Sequence, residues 1–254
     1  MTATASVPVA PEETEERRIR TDLAACYRLM HKYAMTDLIF THVSARLPGS
    51  DGHFLLNPYG LMFNEITASS LVEVDAEGTI VGGGDSPWGI NWAGYIIHSA
   101  VLAARADVNC VLHTHTRAGV AISTLDCGLL SISHHAMEFP NRMASHDYEG
   151  IADDVVECTP PATDLGGLNA MILRNHGLLT TDKTVRGAFL RMFNLEQSCK
   201  IQLDAQAAGT PLIQPSEEVC EHAARQFESS TENRPMGWQA LLRSLDNEDP
   251  SYRD

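Results

Sequence analysis

The chain has 254 residues, 44% of them hydrophobic, enough for one large domain or two small ones. Its 33 acidic against 18 basic residues give a formal net charge of -15, which argues against nucleic acid or an anionic membrane surface as a partner. No apolar run approaches the roughly 18 residues of a membrane span. The start, MTATASVPVAPEETEERR, lacks a basic head followed by an apolar core, so no signal peptide is expected. The six cysteines are scattered without a CxxC pair and are expected to be packed, reduced thiols of a cytoplasmic protein.

Residues 1–11 are small and proline-containing and are expected to form a disordered tail. A helix is predicted from Glu12 to about Lys32, where Leu23, Cys26, Tyr27 and Met30 recur at helical spacing. Asp37–Arg46 and His53–Asn57 read as a hairpin around the Pro48–Gly52 turn, and 71–74 with 79–81 as a second. Gly82-Gly83-Gly84 lacks the GxGxxG order and is not read as a phosphate cradle. Asn91–Arg105 is a helix with Tyr95, His98 and Leu102 on one face, and it leads into a strand over Val108–His115. A helix follows over Arg117–Leu125, and another is predicted to open at Asp147 and run through Val156. Asn169–Arg174 and Leu178–Thr180 read as strands, and Thr184–Ala208 as a long helix stopped by Gly209 and Pro211. Two more helices are expected around Glu217–Glu228 and Trp238–Leu245. With no repeat and no linker, the expected fold is a single α/β domain over residues 12–210, with a mixed or antiparallel central sheet flanked by helices. Residues 211–254 would form a helical extension.

The chemistry gathers at strand ends. Val108–His115 is an apolar strand that finishes His113-Thr114-His115, and strand alternation puts both imidazoles on one face. Two ligands rarely hold a metal, so a third is expected from elsewhere. His176 fits, because it follows another short apolar strand within Asn175-His176-Gly177. Three neutral imidazoles leave a divalent ion its full charge, which would polarise a carbonyl or stabilise an enolate and so serve carbon–carbon bond making or breaking. The ligand type admits zinc, manganese, iron, cobalt or nickel. Ser133-His134-His135 and Ser145-His146-Asp147-Tyr148-Glu149-Gly150 are second candidates for an acid, a base or a fourth ligand, with His135 and Tyr148 taken as the catalytic pair. Ser145 or Asp147 would serve equally well as helix caps. His31, His53 and His222 read as surface or half-buried residues.

Thr41-His42-Val43-Ser44-Ala45-Arg46, Asn57-Pro58-Tyr59-Gly60 with Ile66-Thr67, the run from His98 through Asp107 into His113-Thr114-His115-Thr116, and Asn175-His176-Gly177-Leu178-Leu179 together resemble the class II aldolase/adducin family over about residues 20–210. The resemblance implies a three-layer fold, a homotetramer with sites at its subunit interfaces, and a divalent ion (zinc, manganese or iron) on His113, His115 and His176. It also implies substrate contacts from His42, Ser44, Tyr59, Gly60 and Asn91. In the family's sugar-phosphate aldolases, as the resemblance implies, a glutamate four residues before the position of His98 both ligates the metal and serves as the acid/base, and Gly94 stands there in this chain. The serine pair that holds substrate phosphate falls at Trp92-Ala93, and an early asparagine falls at His42. The expected substrate is therefore a small, non-phosphorylated carbonyl compound or aromatic acid, with Trp92, Tyr59 and Phe63 hinting at a flat one. The HTHTRAG and HDYEG segments resemble a bacterial branch that includes a decarboxylase of a pyridine dicarboxylate and an iron oxygenase. Three readings follow: a metal-dependent lyase, a non-haem Fe(II) oxygenase on the same histidines, and a non-catalytic, adducin-like assembly module.

Overall fold

The computed structural model describes residues 14–50, 52–150, 159–229 and 234–254. Its centre is one eight-stranded sheet. In chain order the strands are β1 (His42–Arg46), β2 (Phe54–Leu56), β3 (Val72–Val74), β4 (Ile80–Gly83), β5 (Cys110–Thr114), β6 (Ala144–His146), β7 (Ala170–Leu173) and β8 (Gly177–Asp182). Across the sheet they lie β4-β3-β2-β1-β5-β8-β7-β6. Neighbours run antiparallel except β6 and β7, which are parallel, so the sheet is mixed.

The strands are apolar on both faces, and the alternation divides them between two cores. Cys110 and Leu112 of β5 and Ala170 and Ile172 of β7 face one side, while Val111, Met171 and Leu173 face the other. A sheet with two apolar faces needs cover on both. On the first, α1 (Glu15–Lys32), α5 (Val185–Ala207) and α7 (Arg234–Glu248) pack through residues such as Leu23, Phe189 and Trp238. On the second, α2 (Trp92–Ala104) and α4 (Thr159–Leu165) pack through Tyr95, Ile96, Ala162 and Leu165. The short α3 (Arg117–Ser123) follows β5, and α6 (Glu217–Ser229) follows α5. Helix starts follow ordinary capping chemistry: Asn91 accepts from the Gly94 amide, Thr116 from Gly119 and Thr184 from Gly187. The chain end folds back on its own α1, with Trp238 Nε1 donating to Asp22 Oδ1 at 3.0 Å and Tyr252 fully buried. No described helix is long and apolar enough to cross a membrane.

One predicted element is replaced. Residues 147–150 are not the start of a helix; they follow β6, whose three residues align with Met171–Leu173. Arg174 N donates to His146 O at 2.8 Å, which extends the parallel pairing to the strand end. The rest of that predicted helix, through Val156, and the tail at 1–11 lie outside the described residues.

Candidate metal centre

β5 lies near the middle of the sheet, so its last residues end on a protein floor rather than at an edge. His113 is buried and pairs with His42 of β1 on one side and Leu179 of β8 on the other. His115 follows just past the strand end. His176 arrives on the three-residue turn between β7 and β8, where Leu173 and Gly177 pair. That turn needs its flanking residues. Asn175 takes a φ of 57°, which asparagine tolerates better than most residues. A β-carbon on Gly177 would lie 2.2 Å from the Thr114 carbonyl oxygen, so only glycine lets β8 start this close to β5.

The three imidazoles converge through their Nε2 atoms. His113 Nε2 lies 2.8 Å from His115 Nε2, and His115 Nε2 lies 2.9 Å from His176 Nε2. The opposite nitrogens of two rings are committed elsewhere: His113 Nδ1 donates to the Leu178 carbonyl at 2.9 Å and His115 Nδ1 to Asp37 Oδ2 at 3.1 Å. With Nδ1 protonated, each Nε2 is a lone pair, and lone pairs this close repel unless a cation lies among them. Donors that share an ion at about 2.0–2.1 Å, the usual zinc–imidazole distance, stand about 3 Å apart, so this donor set fits a metal. Burial, and then the nearby His176, His115 and His42, hold the His113 imidazole well below its ordinary value. Burial, followed by His115 and His146, lowers His176 to about 4. Both rings are therefore neutral near pH 7, the form that ligates.

Around the cluster opens a cavity of about 440 Å³. Its wall toward α2 is made by a substitution of volume. The ring of His42 lies where a side chain at Gly94 would begin: a β-carbon there would fall 2.1 Å from Cε1 and 2.3 Å from Nδ1. His42 is buried and also touches His98, with ring centroids 4.1 Å apart. Neither of its ring nitrogens has a hydrogen-bond partner among the described residues. Burial is the main cause that lowers His42 to about 3, with His115 and His176 next; the Gly94 backbone acts weakly the other way. Thr41, just before it, is buried at a φ of 67°, a costly conformation for a β-branched residue.

Of the sequence-predicted site residues, His113, His115, His176, His42, Tyr59, Asn91 and Tyr148 all line this cavity. The Tyr148 ring is 55% exposed and stands 6.4 Å from that of His176. Ser44 does not reach the wall; it is fully buried behind His42 and shares a 2.7 Å hydrogen bond with His98 Nδ1. Gly60 also lies off the wall, beneath the Trp88 ring. His135 is not brought to the cluster. It sits on a single 3-10 turn, His135–Glu138, that packs on α5 and α6, beside His134 and away from the cavity lining. The three aromatics expected near the substrate separate as well. Trp92 stacks on Tyr95 at 5.0 Å, Phe63 is buried edge-on to Tyr27, and only Tyr59 lines the cavity. Two residues without any sequence signal join the site, Asp37 behind His115 and Asp164 behind His146.

Comparison with known proteins identifies the family. The Class II Aldolase and Adducin N-terminal domain matches residues 21–203. A Pseudomonas aeruginosa protein provisionally named as aldolase class 2 is 45% identical over the whole of both chains. Alpha-adducin of Rattus norvegicus is 39% identical over 91% of this chain, a match that spans 33% of adducin. An aldolase II superfamily protein from Pseudomonas syringae superposes with a TM-score of 0.90 at 48% identity, covering 97% of this chain and 98% of that one. The L-fuculose 1-phosphate aldolase of Glaciozyma antarctica superposes with a TM-score of 0.85 at 28% identity, covering 98% and 97%. The chain belongs to the class II aldolase and adducin family.

Proposed function

We propose that this protein is a metal-dependent lyase that breaks a carbon–carbon bond beside a carbonyl or carboxyl group of a small, non-phosphorylated substrate. The observation that carries the reading is the meeting of the three Nε2 atoms of His113, His115 and His176 at one corner of a cavity. These three residues would hold a divalent ion, which would supply positive charge to polarise a substrate oxygen. The chain's own residues do the rest. Leu178 and Asp37 fix the ligand tautomers, and the cavity walls Phe40, Ile97 and Leu173 hold apolar substrate surface and exclude water. His42 in the space next to Gly94, with no serine pair at Trp92-Ala93, supports a substrate without phosphate. Exposed Phe40 and Tyr148 leave apolar surface at the mouth that a neighbouring subunit of a homotetramer would cover.

The test is elemental analysis of protein purified without added metal, followed by zinc, manganese or Fe(II) loading and a panel of non-phosphorylated hydroxy-carbonyl compounds and carboxylic acids. We expect one ion per chain, and folded His113→Ala and His176→Ala proteins that lose both metal and cleavage. Protein that takes up none of the three ions sinks the reading. Oxygen uptake dependent on Fe(II) would move the chemistry to an oxygenase. The adducin likeness supports a second reading, an assembly module without catalysis, which the same metal-free result would favour.

A further inference from the structure

Gly94 leaves α2 with no carboxylate in the site, so the proton-moving group must stand on another wall. Five histidines line the cavity, and three of them form the metal cluster. His42 has no acid behind it and is wedged between Gly94, His98 and His113. His146 differs. It ends β6, it is 8% exposed, and its Nδ1 meets Asp164 Oδ2 at 2.8 Å. Asp164 is held in place because its neighbours Ala162 and Leu165 on α4 are buried in the second core. The backbone of His146 is tied to the turn that carries His176, through Arg174 N to His146 O at 2.8 Å. Its Nε2 makes no hydrogen bond among the described residues; the nearest acid there, Glu149, is 4.0 Å away and mostly exposed.

We propose that His146, oriented by Asp164, is the catalytic acid/base of this site and takes over the part played by the missing α2 carboxylate. The proposal rests on the lyase reading. With Nδ1–H donated to Asp164, Nε2 carries the lone pair of a ring that lines the cavity. Nε2 removes the proton from a carbon next to the substrate carbonyl. The C–H electron pair becomes the new C=C bond, and the carbonyl π pair moves to oxygen. The imidazolium that forms keeps its hydrogen bond to Asp164, trades its Nε2 proton with solvent and returns one proton to carbon in the reverse step, so atoms and charge balance without a further reagent.

The experiment uses zinc-loaded full-length protein in D₂O with pyruvate or hydroxyacetone as the probe, and follows loss of the α-proton signal by NMR. We expect exchange by the wild type, a loss of about 100-fold or more in His146→Gln, and a smaller loss in Asp164→Asn, all at unchanged zinc content. Added imidazole should restore exchange to His146→Gly and leave the wild type unaffected, a rescue that a structural role would not give. Ring ¹⁵N spectra should show His146 protonated on Nδ1, with that tautomer weakened in Asp164→Asn. Wild-type exchange in His146→Gln, zinc loss in that variant, or a proton resident on Nε2 overturns the assignment while the lyase reading stands. A zinc-loaded wild type that exchanges neither probe overturns both.

Discussion

The imidazole of His42 lies directly on the α-carbon of Gly94. Two departures from the aldolase pattern, one on β1 and one on α2, are thus a single structural change. A large residue on the strand occupies the space released by the smallest possible residue on the helix. The exchange leaves the adjacent His113 undisturbed in register with His42, so the three-histidine corner persists while the wall beside it becomes a neutral imidazole.

Restoring a side chain at Gly94 should therefore cost stability, although glycine inside a helix is ordinarily unfavourable. Gly94→Ala would gain up to about 1 kcal/mol of helix propensity. Overpacking of a filled site costs about 1–3 kcal/mol. A β-carbon 2.1 Å from His42 Cε1 is far inside contact distance, so the second effect wins. Urea denaturation should show Gly94→Ala destabilised, and the loss should shrink in the His42→Ala background. Coupling of about 0.5–3 kcal/mol is expected for neighbours of this kind. Strict additivity of the two substitutions would mean that ring and helix do not compete for the space.

Asp37 holds the Nδ1 proton of His115 and so leaves Nε2 free to ligate a metal. Outer partners of this type typically carry 10–100-fold in metal affinity. Asp37→Asn should weaken zinc binding by about that factor in competition with a chromophoric chelator. The Asp37 side chain is 41% exposed, so melting of the metal-free protein should change little. An unaltered zinc affinity would remove Asp37 from the site.

The fold and the convergence of the three histidines were legible because both are written in local periodicity. Alternation of apolar residues in β5 and β7 announces a sheet covered on both faces, and two histidines at i and i+2 at a strand end need no tertiary information to share a face. What was not legible is what packing delivers. Asp37 meets His115 from 78 residues away, out of a segment in which Leu38 takes a φ of 50°. Asp164 reaches His146 only because α4 docks on the second core. Ser44 carries the right motif but is buried off the cavity wall against His98, and β6 is too short at three residues to show a period.

The turn that delivers His176 makes contrasting demands on its two special residues. Asn175 is exposed with φ at 57°, so Asn175→Gly should be neutral or slightly stabilising and should leave zinc affinity unchanged. Gly177 has no such latitude, because a β-carbon there meets the Thr114 carbonyl oxygen at 2.2 Å. Gly177→Ala should push β8 from β5, displace His176 and lower both the melting temperature and zinc uptake. Calorimetric titration of the two variants checks the contrast. A Gly177→Ala protein with full zinc affinity would show that His176 is placed by something other than this close strand approach.

Away from the site, Arg142 clamps α6 to the body through Glu221 at 2.8 Å and Glu228 at 2.6 Å. Hydrogen bonds from Arg142 hold the Glu221 carboxyl down at about 2, and the same guanidinium lowers Glu228. A carboxyl whose folded value is depressed contributes stability above its ordinary value near 4.5 and loses it as pH falls toward 2. The contribution is modest, since both acids are solvent-accessible and screened by salt. Arg142→Met should thus lower the urea midpoint by a constant amount above about pH 5 and by progressively less between about pH 5 and pH 3. The gap should also narrow in high salt. A gap that is independent of pH would show that Arg142 holds α6 by packing of its aliphatic stem rather than by its charge.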